Sequence, residues 1–125
     1  MEQLNLNKID VLKQLKEANK VRCSKFGHGG GINEWSPAEW ACAVAGEVGE
    51  MCNLIKKENR GDKLDRDGIT PITPELIGKE AADVVIYLDM LCQRLGIDLA
   101  TAIVNKFNEV SDKIKSDIKI SICEA

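Results

Sequence analysis

The sequence predicts an all-α fold, an antiparallel bundle of four main helices that assembles as an oligomer, and three observations carry the helical prediction. Apolar residues recur near a period of 3.6 and nowhere alternate convincingly at the period of 2 that a half-buried strand requires. Helix-start signals stand at Ser36-Pro37, Thr73-Pro74 and Asp98. At 125 residues, 44% apolar and 30% charged, the chain has enough material for a single domain (1–125) with one core.

The first helix is expected from about Asn7 to Arg22, with Ile9, Val11, Leu12, Leu15, Ala18 and Val21 on its inner side. Gly27-His28-Gly29-Gly30-Gly31 then breaks it into a loop. The second helix opens with Ser36 as N-cap, Pro37 in the first turn and Glu39 closing a capping box, and runs to about Asn59. Gly61 supplies its stop. From Gly61 to Ile72 the chain is charged and aperiodic, which reads as a mobile loop. Thr73 caps a third helix that ends at Gly96, and Leu76, Ile77, Val84, Tyr87, Leu88, Leu91 and Leu95 form its inner arc. Asp98 caps a fourth, to about Lys115, with Leu99, Ile103, Phe107, Val110 and Ile114 expected to face inward. The tail to Ala125 is either a frayed continuation or a short extended arm.

Charge and cysteine usage narrow the function. Seventeen basic against twenty acidic residues, net −3, exclude a nucleic-acid polymer held by bulk charge, though a small anion needs only a local site. No apolar run approaches the roughly 20 residues of a membrane span, and the first residues are too polar for a signal-peptide core. The five cysteines, Cys23, Cys42, Cys52, Cys92 and Cys123, are odd in number and never spaced C-x-x-C, so free thiols are expected. Together these point to a cytoplasmic protein.

Four carboxylates fall where apolar residues belong. On the second helix Ala43, Val44, Val48, Met51, Leu54 and Ile55 make one arc joined by Trp40, with Glu47 in its middle and Glu50 at its edge. On the third helix Glu80 lies inside the arc and Asp83 one turn later. Ionised carboxylates converging on an apolar interior are too costly unless protonated, paired or bound to metal. Lys56, Lys57 and Lys79 lie off the arc centres and do not obviously neutralise them. Carboxylate oxygens without thiol or imidazole company suit a hard cation, Mg²⁺ first and Mn²⁺ as a substitute. Di-iron bundles place His three residues after Glu on two helices, whereas here those positions are Glu50 and Asp83.

Magnesium held this way commonly works on phosphate compounds. Basic residues are then expected near the acids. Lys106, with Lys113 two turns later, stands at the edge of the fourth helix's arc, the alternative for both being ordinary snorkelling at a core boundary.

The run Trp40–Lys57 around Gly46-Glu47-Val48-Gly49-Glu50, followed by Lys79-Glu80-Ala81-Ala82-Asp83-Val84-Val85-Ile86-Tyr87-Leu88, resembles the MazG-type all-α nucleoside triphosphate pyrophosphohydrolases. Lys106-Phe107-Asn108-Glu109-Val110-Ser111 is similar to that family's following helix. The resemblance implies Mg²⁺-dependent hydrolysis of (deoxy)nucleoside triphosphates to the monophosphate and pyrophosphate, a nucleotide-pool cleaning role, and a homodimer or homotetramer. It implies Glu47, Glu50, Glu80 and Asp83 as metal ligands, with Glu50, or else Glu47, orienting the attacking water. Lys57 and Lys106 would lie near the outer phosphates. Tyr87, one turn beyond Asp83, either meets the nucleotide or packs in the core. Trp35 and Trp40 are either base-stacking walls or packing residues, and His28 is a candidate substrate contact from the glycine loop. The alternatives are a hydrolase of another nucleotide-phosphate compound, or a non-enzymatic helical module whose acids meet a partner's lysines.

Two weaker motifs are set aside. Gly27–Gly31 lacks the G-K-[ST] of a phosphate-binding loop. The register of Asp65-Arg66-Asp67-Gly68 would put Lys63 and Pro74 at the terminal ligand positions of a calcium loop.

Overall fold

The capping chemistry legible in the chain is formed in the computed structural model, which describes residues 10–25 and 31–122. Helix α1 spans Val11–Arg22, α2 Pro37–Asn59, α3 Pro74–Arg94 and α4 Leu99–Lys113, with short 3₁₀ turns at Cys23–Lys25 and Ile32–Glu34. Asp10 caps α1 through Lys13 N–H. The expected start of that helix at Asn7 to Ile9 lies outside the described residues. At α2 the capping box is closed in both directions, Glu39 N–H donating to Ser36 Oγ at 3.2 Å and Ser36 N–H to Glu39 Oε2 at 2.7 Å. Thr73 and Asp98 cap α3 and α4 through Leu76 and Thr101 N–H. No strand forms among the described residues, only an isolated antiparallel bridge between Leu64 and Pro71.

Helix α3 is the centre of the fold, packing most extensively on α2, then on α1, the second 3₁₀ turn and α4. Trp40 lies beside Tyr87, Glu47 beside Asp83, and Glu50 beside Glu80, so numbering rises along α2 as it falls along α3 and the pair is antiparallel. Trp40, Met90 and Cys23 are completely buried, with Ile32, Trp35, Ile86, Tyr87 and Leu91 packed around them. The Trp40 indole N–H donates to the Ile32 carbonyl at 2.8 Å, which ties the start of α2 to the segment before it. Gly96, at φ +71°, turns the chain from α3 toward α4 in a conformation that favours glycine.

Helix α1 buries only part of the face its apolar residues suggest: Leu12 and Leu15 are half-buried, but Ala18 is exposed. Val11 and Val21 are exposed, 66% and 77%, while Asn19 is buried. The reason is a polar join to α3. Asn19 Nδ2 donates to Asp89 Oδ2 at 2.9 Å and to the Ile86 carbonyl at 3.2 Å. Gln93 Nε2 donates to the same Asp89 oxygen at 2.8 Å and to the Lys16 carbonyl at 2.9 Å. A buried carboxylate oriented by amide donors outweighs the burial of two valines, since leaving it unpaired costs several kcal/mol, on the order of 3.

The inward-facing expectation for α4 is also corrected. Ile103, Phe107, Val110 and Ile114 stand on one stripe yet are 39–69% exposed, because α4 touches α1 and α3 only at its margin. Periodicity identifies a face; it does not say what covers it. Leu95, Val48 and Ile55, assigned to inner arcs, are exposed as well. After α4 the chain breaks at Lys115 (φ +58°) and continues as a non-helical arm. Asn108 pins that arm, donating to the Ile120 carbonyl at 2.9 Å and accepting from Ile120 N–H at 3.0 Å. Cys23, Cys42, Cys52 and Cys92 are free thiols, and Cys123 lies outside the described residues. Among the described residues no helix is long and apolar enough to cross a membrane.

Candidate metal centre

The antiparallel contact of α2 with α3 brings the two acidic pairs together. Glu47, Glu80 and Asp83 each place one carboxylate oxygen within 4.8 Å of the others. Glu50 stands beside them, its carboxyl in hydrogen-bonding reach of both Glu47 and Glu80. Three of the four are half-buried and Glu50 is exposed. One oxygen of Glu47 and one of Glu80 (Oε2 in each) are sealed from solvent without any hydrogen-bond donor.

The electrostatics follow from that geometry. Burial, more than any neighbour, pushes the Glu47 carboxyl above its ordinary value, and the charges of Glu50, Asp83 and Glu80 add to the shift. Glu80 is raised for the same first reason, with Glu50 next. Burial also raises the Tyr87 phenol, helped by the charges of Glu47, Asp83 and Glu50. The cluster is a cage of carboxylate oxygens in which burial and mutual repulsion both disfavour the charged form of Glu47 and Glu80.

Two cavities meet at the cage. One, about 300 Å³, is lined by Glu47, Asp83, Ile86 and Tyr87, with Arg22 and Lys25 from the end of α1. The other, about 260 Å³, holds Glu50 and Glu80 with Lys56 and Lys57 of α2 and Asp65 and Arg66 of the following loop. A larger cavity of about 440 Å³ lies between α1, the second 3₁₀ turn and the α3–α4 corner, and none of the four acids lines it.

The remaining candidates divide. Tyr87 is at the cage. Lys57 is beside it, bonded to Asp65 at 2.8 Å. Trp40 is wholly buried 6.3 Å from Tyr87, so it offers no surface to a ligand and adopts the packing alternative. Trp35, partly buried, leans on Trp40 at 4.7 Å, and its carbonyl accepts from Arg94. Lys106 and Lys113 are exposed on α4, both paired with Glu109, and line neither cavity at the cage. His28 lies outside the described residues. Arg22, Lys25 and Arg66 are the cations near the acids that the sequence did not single out; the only signal for them was their place at the end of the first helix and in the charged loop.

The loop after α2 carries more internal bonding than its composition suggests. Asp65 N–H donates to the Thr70 carbonyl at 2.8 Å and Ile72 N–H to the Lys63 carbonyl at 3.0 Å. Asp67 accepts from Ile69 and Thr70 N–H and from the Thr70 hydroxyl. Those donors lower its carboxyl from 3.8 to about 2. Because the folded value is depressed, the turn's contribution to stability is present above pH 3.8 and is lost as pH falls through about 2. In an NMR titration the Ile69 and Thr70 amides should shift with a midpoint near 2; a midpoint near 3.8 would mean that the turn does not form.

Comparison with protein-family models, with curated proteins and with solved structures yields no match.

Proposed function

We propose that the chain is a MazG-type pyrophosphohydrolase that splits nucleoside triphosphates into monophosphate and pyrophosphate with Mg²⁺, Mn²⁺ being a workable substitute. The observation that carries this reading is the pair of solvent-sealed, donorless oxygens on Glu47 and Glu80, two carboxylates that cluster with Asp83. Buried acceptors without donors are expensive, and a hard cation satisfies them where no protein group does. The all-oxygen donor set fits Mg²⁺ and not a thiophilic metal.

Glu47, Glu80 and Asp83 would hold the ion, with Glu50 as the fourth carboxylate. When bound, Mg²⁺ supplies charge neutralisation at the phosphoryl oxygens and acidifies a water. The chain's own groups do the rest. Glu50, the exposed member, would orient the attacking water and accept its proton. The water oxygen bonds to the α-phosphorus, the bond from that phosphorus to the bridging oxygen breaks, and pyrophosphate leaves. Lys57, held by Asp65, offers positive charge to the departing phosphates. Tyr87, braced by Trp40, gives the nucleoside a flat wall.

The test is a panel of ribo- and deoxynucleoside triphosphates with Mg²⁺, scored for pyrophosphate against orthophosphate. Pyrophosphate as the released species supports the reading. Orthophosphate, or no release across the panel, overturns it.

The same reading includes self-association. The open stripe Ile103, Phe107, Val110 and Ile114 is an apolar face of the kind that a second copy covers. Phe107→Asp is expected to move the chain from two or four protomer masses to 13.8 kDa in light scattering. A wild-type protein already at the single-chain mass would remove this part of the proposal.

A further inference from the structure

The arm after α4 runs from Ser116 to Ile122 without a turn or bend. Isoleucine alternates with a polar residue along Ile118-Lys119-Ile120-Ser121-Ile122, which is the period of a strand. The stretch is too short to stand out against the helical pattern of the whole chain. One edge of the arm is satisfied within the protomer, since the N–H and the carbonyl of Ile120 both meet the Asn108 side-chain amide. In an extended chain successive residues turn these groups to opposite edges, so those of Asp117, Lys119 and Ser121 lie on the other one. No hydrogen bond engages them among the described residues, and all three residues are exposed. The arm therefore carries a bare strand edge, and the described residues form no sheet to receive it.

We infer that this edge pairs with the same edge of a second copy, antiparallel and about a two-fold axis that passes between the two Ile118 residues. The inference rests on the self-association in the proposed function and names the element and register that carry it. Charge selects the register. With Ile118 facing Ile118, Asp117 stands across from Lys119 of the second copy and Lys119 across from its Asp117, so symmetry makes the opposite-charge pair twice. The backbone groups of these residues are the open ones, and they are the ones that exchange N–H···O=C bonds in this register. An axis at Lys119 would set lysine against lysine. An axis at Ile120 would set Lys119 against Ser121 and forgo both charge pairs.

The side chains fit that axis. Asp117 has no ion pair among the described residues, so its carboxylate is open to a cation from outside the protomer. Lys119 is fixed by Asp112 and reaches the Asn108 carbonyl at 3.4 Å, which leaves the third donor of its ammonium for a carboxylate across the axis. Ile118 is 64% exposed, the most exposed isoleucine of the arm, and gains most from cover. On the axis it forms a pair without mutual hydrogen bonds, the kind that brings Cα atoms to about 4.5 Å and side chains nearest each other. Two short strands are too small to hold a dimer by themselves. The apolar stripe of α4 continues the surface, since its last member, Ile114, stands just before the arm begins.

Sedimentation of the full chain across a dilution series, together with cysteine cross-linking, tests both the contact and its register. Asp117→Lys sets lysine across from lysine twice and should raise the dissociation constant of the dimer about tenfold. Asp117 is exposed, so this variant does not depend on surviving a core change. Ile118→Cys should join two chains through a disulfide under mild oxidation, because the spacing on the axis suits that bond, and Ile120→Cys should not. The wild type, whose Cys42 and Cys52 are exposed, is the control for cross-linking elsewhere. If Asp117→Lys leaves association unchanged while Phe107→Asp abolishes it, the arm lies outside the contact and the inference fails alone. Cross-linking through Ile120→Cys in place of Ile118→Cys places the axis elsewhere and overturns the register. A wild type at the single-chain mass removes the self-association on which the inference rests, and pyrophosphate release by that same protein would leave the proposed reaction standing.

Discussion

Glu80→Gln and Glu47→Gln are each expected to lower Mg²⁺-dependent pyrophosphate release on the order of 100-fold or more, since under the proposed function each removes one of the convergent charges that would hold the cation and with it the activated water. Glu50→Gln and Asp83→Asn should fall in the same range. The same substitutions carry an opposite effect on stability, and this makes the experiment informative even where activity is lost. Glu47 and Glu80 are raised in the folded chain, chiefly by burial. The folded state therefore holds their protons more tightly than the unfolded state does. For these two groups the metal-free protein is most stable below the ordinary carboxylate value of 4.5, and loses stability as pH rises from there through the raised folded values. At neutral pH, Glu47→Gln is expected to raise the thermal midpoint of the metal-free chain while reducing the further rise that Mg²⁺ produces. Thermal melts with EDTA and with Mg²⁺ read both. A melting point that falls in EDTA, with the Mg²⁺ increment intact, would show the carboxylate to be a structural partner rather than a ligand.

Trp40→Ala is the most destabilising change expected in the core, about 3–5 kcal/mol. The ring is completely buried, with Met90 and Cys23 in the same core and Tyr87 and Trp35 beside it, and its indole N–H is bonded to the Ile32 carbonyl. Against a typical total stability of about 5–15 kcal/mol this leaves a marginal fold. Trp40→Phe keeps most of the ring and loses the hydrogen bond, so its cost should be about 1–2 kcal/mol. Urea unfolding of the pair separates packing from hydrogen bonding. Equal losses in the two variants would mean that the bond to Ile32, and not the volume of the ring, carries the effect.

The helix starts were readable because capping is local chemistry: Ser36, Thr73 and Asp98 need only their own next three residues to act. The four acids were readable for a related reason, since an acid inside an apolar arc is an anomaly at the level of one helix. What could not be read depends on contacts between distant segments. Asn19 is an ordinary polar residue until Asp89, seventy positions on, is placed against it. Nothing in the spacing of Val11 and Val21 announces that they lose to it. Arg22, Lys25 and Arg66 likewise reach the cage only through the packing of α1 and the folding back of the loop. The α4 stripe shows the converse limit, a face recognised correctly as apolar that the other described residues leave partly open.

The amide and carboxylate join between α1 and α3 has a consequence for the acidic cluster between α2 and α3. Arg22 follows Asn19 by three residues, less than one helical turn, so whatever fixes Asn19 against Asp89 also fixes how far the cations at the end of α1 stand from Glu47 and Asp83. A purely apolar α1–α3 seam could slide by one turn, about 5.4 Å, at small expense. This one cannot, because such a slip would strip a buried carboxylate of its Asn19 donor. Asn19 acts as an index pin: it sets the gauge of a cavity that it does not line, holding one wall from behind through the Ile86 carbonyl.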